Sequence, residues 1–142
     1  MVPKILVAEE DALHLGLYRH LLKQDGYEVQ TVDSATDALL QLKDGQFDLV
    51  ILDLNLSDMD FLEVLPQIRG NCPDLPVIVV SRKEEGLLEK MQENQWDGNL
   101  FLARPLPLLN LQKAVRMILG THQPKGSQPL RPHPSFPKPS MN

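Results

Sequence analysis

The sequence predicts an α/β fold in which a parallel β-sheet lies between helices on both of its faces. Short apolar runs alternate with longer segments whose leucines recur every three or four residues, and this strand–helix unit repeats five times within about 119 residues. The two most apolar runs both end in acidic residues, which is typical of strands that carry ligand-binding groups at one edge of an open sheet. Such repeated units place successive strands in parallel, with helices on both faces.

The predicted strands follow from the apolar runs. The first contains Ile-Leu-Val-Ala at residues 5–8, and the most apolar contains Leu-Val-Ile-Leu at residues 49–52. Runs without polar alternation are typical of strands that are buried on both faces of a parallel sheet. The five predicted strands cover residues 4–8, 28–32, 48–53, 77–80 and 100–103.

The helices are predicted from leucine spacing and from residues that start or stop helices. Ser34 is expected to cap the second helix with Asp37 three residues further on, and Gly26 and Gly45 are expected to end the first two helices. The predicted helices cover residues 12–25, the segment between Ser34 and Gly45, and residues 60–70, 84–95 and 108–119. The residues expected to face the core are Leu13, Leu17 and Leu21 in the first helix, Leu39, Leu40 and Leu42 in the second, and Leu62, Leu65 and Ile68 in the third.

Composition limits the class of protein. A chain of 142 residues has room for one domain with a hydrophobic core. The lone Cys72 excludes an intrachain disulfide framework and favours a reducing compartment, so we expect a cytoplasmic protein. No apolar run approaches the ~20 residues that span a membrane, and no signal peptide precedes the first strand, so no membrane association is expected.

Charge and proline content divide the chain into two parts. Residues 1–119 carry 11 Lys and Arg against 19 Asp and Glu, a formal charge of −8. Because phosphate neutralisation dominates DNA affinity, this acidic part is a poor DNA binder by itself, and we expect no direct DNA binding by the protein. The final 23 residues hold six of the twelve prolines and no acidic residue. We therefore predict a domain at residues 1–120 and a proline-rich disordered tail or linker at 121–142.

Polar residues stand at the ends of the predicted strands, along one edge of the sheet. Glu9 and Glu10 follow the first strand, Asp53 ends the third, and Ser81 and Arg104 follow the fourth and fifth. Carboxylates that converge there repel one another by about 4 kcal/mol per pair at ~4 Å with an effective dielectric near 20. A hard divalent cation relieves this repulsion, so the pattern predicts a cation site and phosphate chemistry.

Four segments around this edge resemble the receiver domain of two-component response regulators, of the chemotaxis (CheY-like) type. They are KILVAEED at residues 4–11, DLVILDLNLSDMD at 48–60, LPVIVVS at 75–81 and FLARP at 101–105. The resemblance extends over residues 4–119. It implies a flavodoxin-like (βα)5 fold, a doubly wound parallel sheet of five strands in the order 2-1-3-4-5.

The resemblance also implies a role for each residue at this edge. Asp53 would be the phosphoacceptor, which takes a phosphoryl group from a phosphohistidine of a histidine kinase or phosphotransfer protein. The implied cofactor is Mg²⁺, held by Glu10, Asp53 and the backbone carbonyl of Asn55, and by Glu9 through water. The remaining implied roles belong to Ser81, which senses the phosphoryl group, to Phe101, which rotates inward as the switch, and to Arg104, which pairs with the phosphoryl oxygens.

The chain departs from the family pattern at several positions. Arg104 stands where the family has Lys, and Arg82 follows Ser81 where the family has a small residue. Ser57 stands in place of Pro and Phe61 in place of Gly. The acidic pair is Glu9 and Glu10, whereas the family more commonly has a pair that contains Asp. The guanidinium of Arg is planar and has several donors, whereas the ammonium of Lys is a compact charge. Arg104 could therefore contact two carboxylates and neutralise part of the charge that the metal would otherwise neutralise. The resemblance further implies a cis bond between Arg104 and Pro105.

We therefore expect a signalling module and not an enzyme. It would pass its signal through the helix–strand–helix surface of residues 84–119 to an unknown downstream protein target, and the same surface could form a homodimer. Two alternatives stay open. One is a degenerate receiver, an interaction module that does not depend on phosphorylation. The other is a flavodoxin-like domain that binds a small ligand, although the acidic residues after the first strand would repel a phosphate there.

Overall fold

Five strands form one parallel sheet. They are β1 Lys4–Ala8, β2 Glu28–Val32, β3 Leu49–Asp53, β4 Val77–Arg82 and β5 Leu100–Arg104. The structure is a computed structural model that describes residues 2–82, 100–104 and 108–120. The strands pair in parallel in the order β2-β1-β3-β4-β5, which confirms the predicted flavodoxin-like α/β fold.

Four helices accompany the strands in the described residues. They are α1 Ala12–Gln24, α2 Ala35–Asp44, α3 Phe61–Asn71 and α4 Leu108–Leu119. Their bounds lie within about a residue of the predicted ones. Within this part of the chain, no helix is long and apolar enough to span a membrane. The predicted helix at 84–95, the bond between Arg104 and Pro105, the segment 121–142 and most of the predicted signalling surface lie outside the described residues.

The helix ends show why these segments become helices. The Ser34 side chain accepts a hydrogen bond from the backbone N–H of Asp37 at 3.0 Å, which confirms the predicted cap of α2. Gly26, one residue beyond the C-cap of α1, has a φ of 93°, a left-handed conformation that favours glycine. α3 begins with a capping box between Asp60 and Glu63 that the sequence analysis did not identify.

Two hydrophobic clusters lie on the two faces of the sheet. Neighbouring residues of β1 and β3 belong to different clusters because successive side chains of a strand point to opposite faces. The first cluster joins Leu6, Ala8, Val50 and Leu52 to α2 and α3, and the second joins Ile5, Val7, Leu49 and Ile51 to α1 and α4. This arrangement confirms the prediction of helices on both faces.

The predicted apolar face of α1 is wrong. Leu13 is 68% exposed and Leu17 is also exposed, whereas Tyr18 and Leu22 are buried. A strict spacing of four residues advances about 40° around a helix with 3.6 residues per turn, so Leu13, Leu17 and Leu21 drift away from one face. Alternating spacings of three and four residues stay on one face, as Leu15, Tyr18 and Leu22 do.

The inward faces of α2 and α3 were predicted correctly except for one leucine each. Leu39 and Leu42 of α2, and Leu65 and Ile68 of α3, are buried as expected. Leu40 is 53% exposed and Leu62 is also exposed. Each of these two lies next to or three residues from a buried leucine, so spacing alone does not identify them as surface residues. Small Ala35 and Ala38 complete the buried face of α2 instead.

Candidate functional site

The carboxyl ends of β1, β3 and β4 lie side by side and bring three polar side chains together. The strand register pairs Ala8 with Leu52 and Asp53 with Val80. Glu9, which follows β1, is therefore one strand from Asp53, and Ser81 of β4 lies on the other side. Glu9, Asp53 and Ser81 are 1%, 3% and 0% exposed, and among the described residues they are the buried polar and charged ones.

Asp53 lies at the end of the central strand, where a backbone hydrogen bond orients its carboxylate. Its Oδ1 accepts a hydrogen bond from the backbone N–H of Asn55 at 2.9 Å. The next residue, Leu54, donates its N–H to the carbonyl of Val80 at 2.9 Å, so the sheet ladder continues past the carboxylate. A short turn thus fixes one oxygen of a nearly buried carboxylate, and it aligns the Asn55 backbone with the same site.

The acidic pair after β1 divides between the interior and the surface. The N–H of Glu9 donates to the carbonyl of Val32 at 3.1 Å, which extends the pairing with β2. Its carboxylate accepts a hydrogen bond from the backbone N–H of Asp11 at 3.0 Å. Glu10 is exposed, and its Oε2 accepts a hydrogen bond from the hydroxyl of Ser57 in the loop between β3 and α3. Glu9 is buried and Glu10 exposed because the side chains of neighbouring residues in extended backbone point to opposite faces of the sheet.

Asp58 also belongs to this region, although no local sequence pattern predicts its role. Its Oδ1 accepts from the N–H of Ala35 at 2.9 Å, and its Oδ2 accepts from the N–H and the hydroxyl of Thr36 at 2.9 and 2.8 Å. The two backbone hydrogen bonds hold the pKa of Asp58 below its usual value. Asp58 therefore anchors the β3–α3 loop to the first turn of α2, where a negative charge is favoured.

The Ser81 hydroxyl is buried and has no hydrogen-bond partner within the described part of the chain. A buried hydroxyl without a partner costs roughly 1–3 kcal/mol, so its position favours a group that comes to it from the crevice. Phe101 and Arg104 belong to β5, and β4 pairs Arg82 with Arg104. The roles predicted for their side chains lie outside what the structure describes, as does the side chain of Phe61.

The oxygens at this edge fit the chemistry of Mg²⁺. Across the described residues, no three side chains of His, Cys, Asp or Glu form a group that could hold a metal ion. Mg²⁺ does not require such a group because it keeps several waters and binds through one or two carboxylates. Asp53, Glu10 and the carbonyl of Asn55 supply hard oxygen donors, so these residues fit a partly hydrated Mg²⁺.

Comparison with known proteins identifies the family. The family model for the response regulator receiver domain matches residues 5–116. The chain is 32% identical to the transcriptional regulatory protein BasR of Escherichia coli over 89% of its own length and 57% of that protein. It is 34% identical to KdpE of Staphylococcus aureus, over 83% of this chain and 50% of that protein. It is 30% identical to the DNA-binding transcriptional regulator NtrC of Azospirillum brasilense, over 88% of this chain and 26% of that protein.

Solved structures show the same fold. The chemotaxis response regulator CheY4 of Vibrio cholerae superposes with a TM-score of 0.75 at 24% identity, covering 84% of this chain and all of that one. The receiver domain of the sensor histidine kinase PA1611 from Pseudomonas aeruginosa superposes with a TM-score of 0.73 at 22% identity, covering 84% and 99% of the two chains. That crystal structure has a magnesium ion coordinated in its active site cleft.

The relatives overturn the expectation that the protein does not bind DNA. The curated relatives are transcriptional regulators, one of them described as DNA-binding, and this chain spans between about a quarter and three-fifths of their length. The acidic charge of residues 1–119 characterises only the part that matches, so it could not exclude DNA binding by a whole protein. By fold, strand-end residues and the match over residues 5–116, the chain belongs to the response regulator receiver domain family of two-component signalling.

Proposed function

We propose that Asp53 accepts a phosphoryl group from a phosphohistidine on a histidine kinase or phosphotransfer protein. The observation that carries this proposal is the position of Asp53, a carboxylate 3% exposed at the end of the central strand, between the acidic pair after β1 and the buried Ser81 hydroxyl. Phosphorylation and Mg²⁺ binding are features of the receiver family to which the chain belongs.

In the proposed transfer, a carboxylate oxygen of Asp53 forms a bond to phosphorus while the phosphorus–nitrogen bond of the phosphohistidine breaks. The electron pair of that bond returns to the imidazole, which takes up a proton. Positioning and neutralisation of charge dominate the catalysis of such transfers. The hydrogen bond from the N–H of Asn55 orients the Asp53 carboxylate for this attack.

The residues around Asp53 would receive the phosphoryl group. Glu10, Asp53 and the Asn55 carbonyl would hold Mg²⁺, with Glu9 acting through water, and the bound ion would neutralise the negative oxygens of the donor and the acceptor. The Ser81 hydroxyl would donate to a phosphoryl oxygen and so gain the partner that it lacks among the described residues. We further propose that Phe101 acts as the switch that rotates inward and that Arg104 is the cation that pairs with the phosphoryl oxygens.

The test is the intact mass of the chain after incubation with acetyl phosphate and Mg²⁺. The wild-type chain should gain the mass of one phosphoryl group, and the gain should disappear when Mg²⁺ is chelated. Asp53→Asn, which keeps the shape of the side chain but removes the nucleophile, should gain nothing. Equal labelling of Asp53→Asn would assign the phosphoryl group to another residue and overturn the proposal.

A degenerate receiver remains the second candidate, because the three carboxylates predicted to bind Mg²⁺ all accept hydrogen bonds from within the chain. The donors are the N–H of Asp11, the N–H of Asn55 and the Ser57 hydroxyl. A millimolar Mg²⁺ concentration should raise the melting temperature of a phosphate-accepting receiver, and Glu10→Gln should abolish the rise. No response to Mg²⁺, combined with a loss of stability in Arg104→Ala, would favour the degenerate reading.

The output of the signal follows from the relatives as a proposal. Because BasR, KdpE and NtrC are transcriptional regulators, we propose that this receiver controls transcription. The lone Cys72 favours a reducing compartment, so a cytoplasmic location stays a prediction.

A further inference from the structure

We infer that Ser57 limits cation binding at the proposed phosphorylation site, because its hydroxyl donates a hydrogen bond to the carboxylate of Glu10 that would bind the cation. The inference rests on the proposed function, since it concerns the site where Mg²⁺ would bind beside Asp53. The receiver family usually has proline at the position of Ser57, and a proline has no hydroxyl to donate.

The contact joins two loops that are far apart in the sequence. Ser57 lies between β3 and α3, and Glu10 lies between β1 and α1, 47 residues away. Both side chains are exposed. Within the described residues, the Ser57 hydroxyl is the hydrogen-bond donor that reaches the Glu10 carboxylate. The charge of Glu10 is therefore partly compensated from within the chain.

The β3–α3 loop is anchored on both sides of Ser57, so the hydroxyl stays in position. Two residues before it, the N–H of Asn55 donates to Asp53. Directly after it, Asp58 accepts three hydrogen bonds from the first two residues of α2. A donor that is fixed in this way loses little conformational freedom when it binds Glu10. Ser57 is therefore a positioning residue that acts through Glu10.

Two consequences of this hydrogen bond oppose each other. It could orient Glu10 for a cation and strengthen cation binding, or it could compete with the cation and weaken binding. The structure favours competition, because the Ser57 hydroxyl donates to Oε2 of Glu10, and an oxygen that already accepts a hydrogen bond has less negative charge to offer a cation. A cation must then draw Glu10 away from a hydrogen bond that stabilises the cation-free state.

The decisive measurement is the Mg²⁺ dissociation constant of the full chain by isothermal titration calorimetry. Losing one hydrogen bond between exposed side chains changes an equilibrium by about threefold to tenfold. We expect Ser57→Ala to bind Mg²⁺ about threefold to tenfold more tightly than the wild type. Ser57→Thr keeps the hydroxyl and should restore the wild-type affinity. An unchanged or weaker affinity in Ser57→Ala overturns the inference.

Tyr27→Phe is the matched control. It also removes one hydroxyl hydrogen bond, from Tyr27 to the carbonyl of Gly120 at 2.9 Å, but Tyr27 precedes β2 at the opposite edge of the sheet. It should lower the melting temperature without changing Mg²⁺ affinity. Ser57→Ala should lower the melting temperature without Mg²⁺ and increase the rise that Mg²⁺ produces. A merely structural role for Ser57 would give the pattern of Tyr27→Phe.

The outcomes separate this inference from the proposed function. If the wild type binds Mg²⁺ and Ser57→Ala binds it equally well, the inference fails and the proposed function stands. If only Ser57→Ala binds Mg²⁺, the inference is supported and the wild type is a receiver held in its cation-free state. If neither chain binds Mg²⁺, both the inference and the proposed cation site fail.

Discussion

At the scale of single residues, Asp58 shows how the β3–α3 loop is attached to the neighbouring helix α2. One oxygen of its carboxylate binds the N–H of Ala35, and the other binds the N–H and the hydroxyl of Thr36. Ser34 caps the same helix through Asp37, so α2 has one cap from its own sequence and a second from the β3–α3 loop. Because the first N–H groups of a helix lack intrahelical partners, each cap satisfies donors that the other leaves open.

Removing the Asp58 carboxylate should loosen this attachment. We expect Asp58→Ala to lower the free energy of unfolding by about 1 kcal/mol, the usual cost of losing an N-cap side chain. Urea denaturation at neutral pH measures the change. Asp74→Ala removes an equal charge from an exposed position before β4, and it should change the stability by less than about 0.5 kcal/mol. Equal effects of the two substitutions would show that the loss of charge, and not of the cap, determines the result.

The same carboxylate should make this stabilisation depend on pH. Hydrogen bonds from Ala35 and Thr36 hold the pKa of Asp58 below its usual value in the folded chain. A lowered folded-state pKa contributes stability that is complete above the unfolded value and is lost as pH falls through the folded value. The stability difference between wild type and Asp58→Ala should therefore be constant near neutral pH and shrink below about pH 4. A difference that persists undiminished into strong acid contradicts this account.

At the scale of secondary structure, α1 presents its leucines to two different environments. Leu22 is fully buried with Tyr18 against the sheet, whereas Leu13 is 68% exposed near the start of the helix. Hydrophobicity alone does not distinguish them. The angular position around the helix does, since Leu22 shares a face with Leu15 and Tyr18 and Leu13 lies opposite.

This arrangement predicts unequal effects for two chemically identical substitutions. Leu22→Ala leaves a cavity in the core and should lower the free energy of unfolding by about 2–5 kcal/mol. Leu13→Ala removes an exposed side chain and should change it by less than about 0.5 kcal/mol. Thermal or urea denaturation compares the two variants under the same conditions. A larger decrease in the free energy of unfolding for Leu13→Ala than for Leu22→Ala would show that Leu13 faces the core, as the leucine spacing predicted.

The sequence predicted the elements better than the contacts between them. Helix and strand bounds depend on local signals such as Ser34, Gly26 and the apolar runs. For the described elements they were predicted to within about a residue, except that β4 extends two residues beyond its predicted end. The strand-end positions of Glu9, Asp53 and Ser81 follow from the parallel order of the strands, so they were predictable once that order was known.

The contacts that were missed join loops that are distant in sequence. The bond from Ser57 to Glu10 spans 47 residues, and the bonds from Asp58 to α2 span 22 and 23. No spacing rule connects such pairs, because the packing of loops over the sheet edge sets their distance.

At the scale of the whole molecule, the end of α4 contacts the loop between α1 and β2. Asp25 accepts hydrogen bonds from Gln112 and pairs with Arg116 at 3.1 Å. Tyr27 donates its hydroxyl to the carbonyl of Gly120 at 2.9 Å. Burial raises the pKa of the Tyr27 hydroxyl, with a smaller contribution from Asp25. These contacts fasten the last described helix to the loop between α1 and β2, and the domain boundary at residue 120 stays a prediction.

The contacts at the end of α4 allow a test of the domain boundary that is predicted at residue 120. Deleting residues 122–142 keeps Gly120 and its bond to Tyr27, and it removes a segment with many prolines, no acidic residue and few side chains that could offset the entropy of ordering. The deletion should therefore leave the thermal transition unchanged, whereas Tyr27→Phe should lower stability by about 1 kcal/mol. Differential scanning calorimetry compares both with the full chain. A drop of several degrees on deletion would show that the segment packs on the domain, and the boundary at residue 120 would then be wrong.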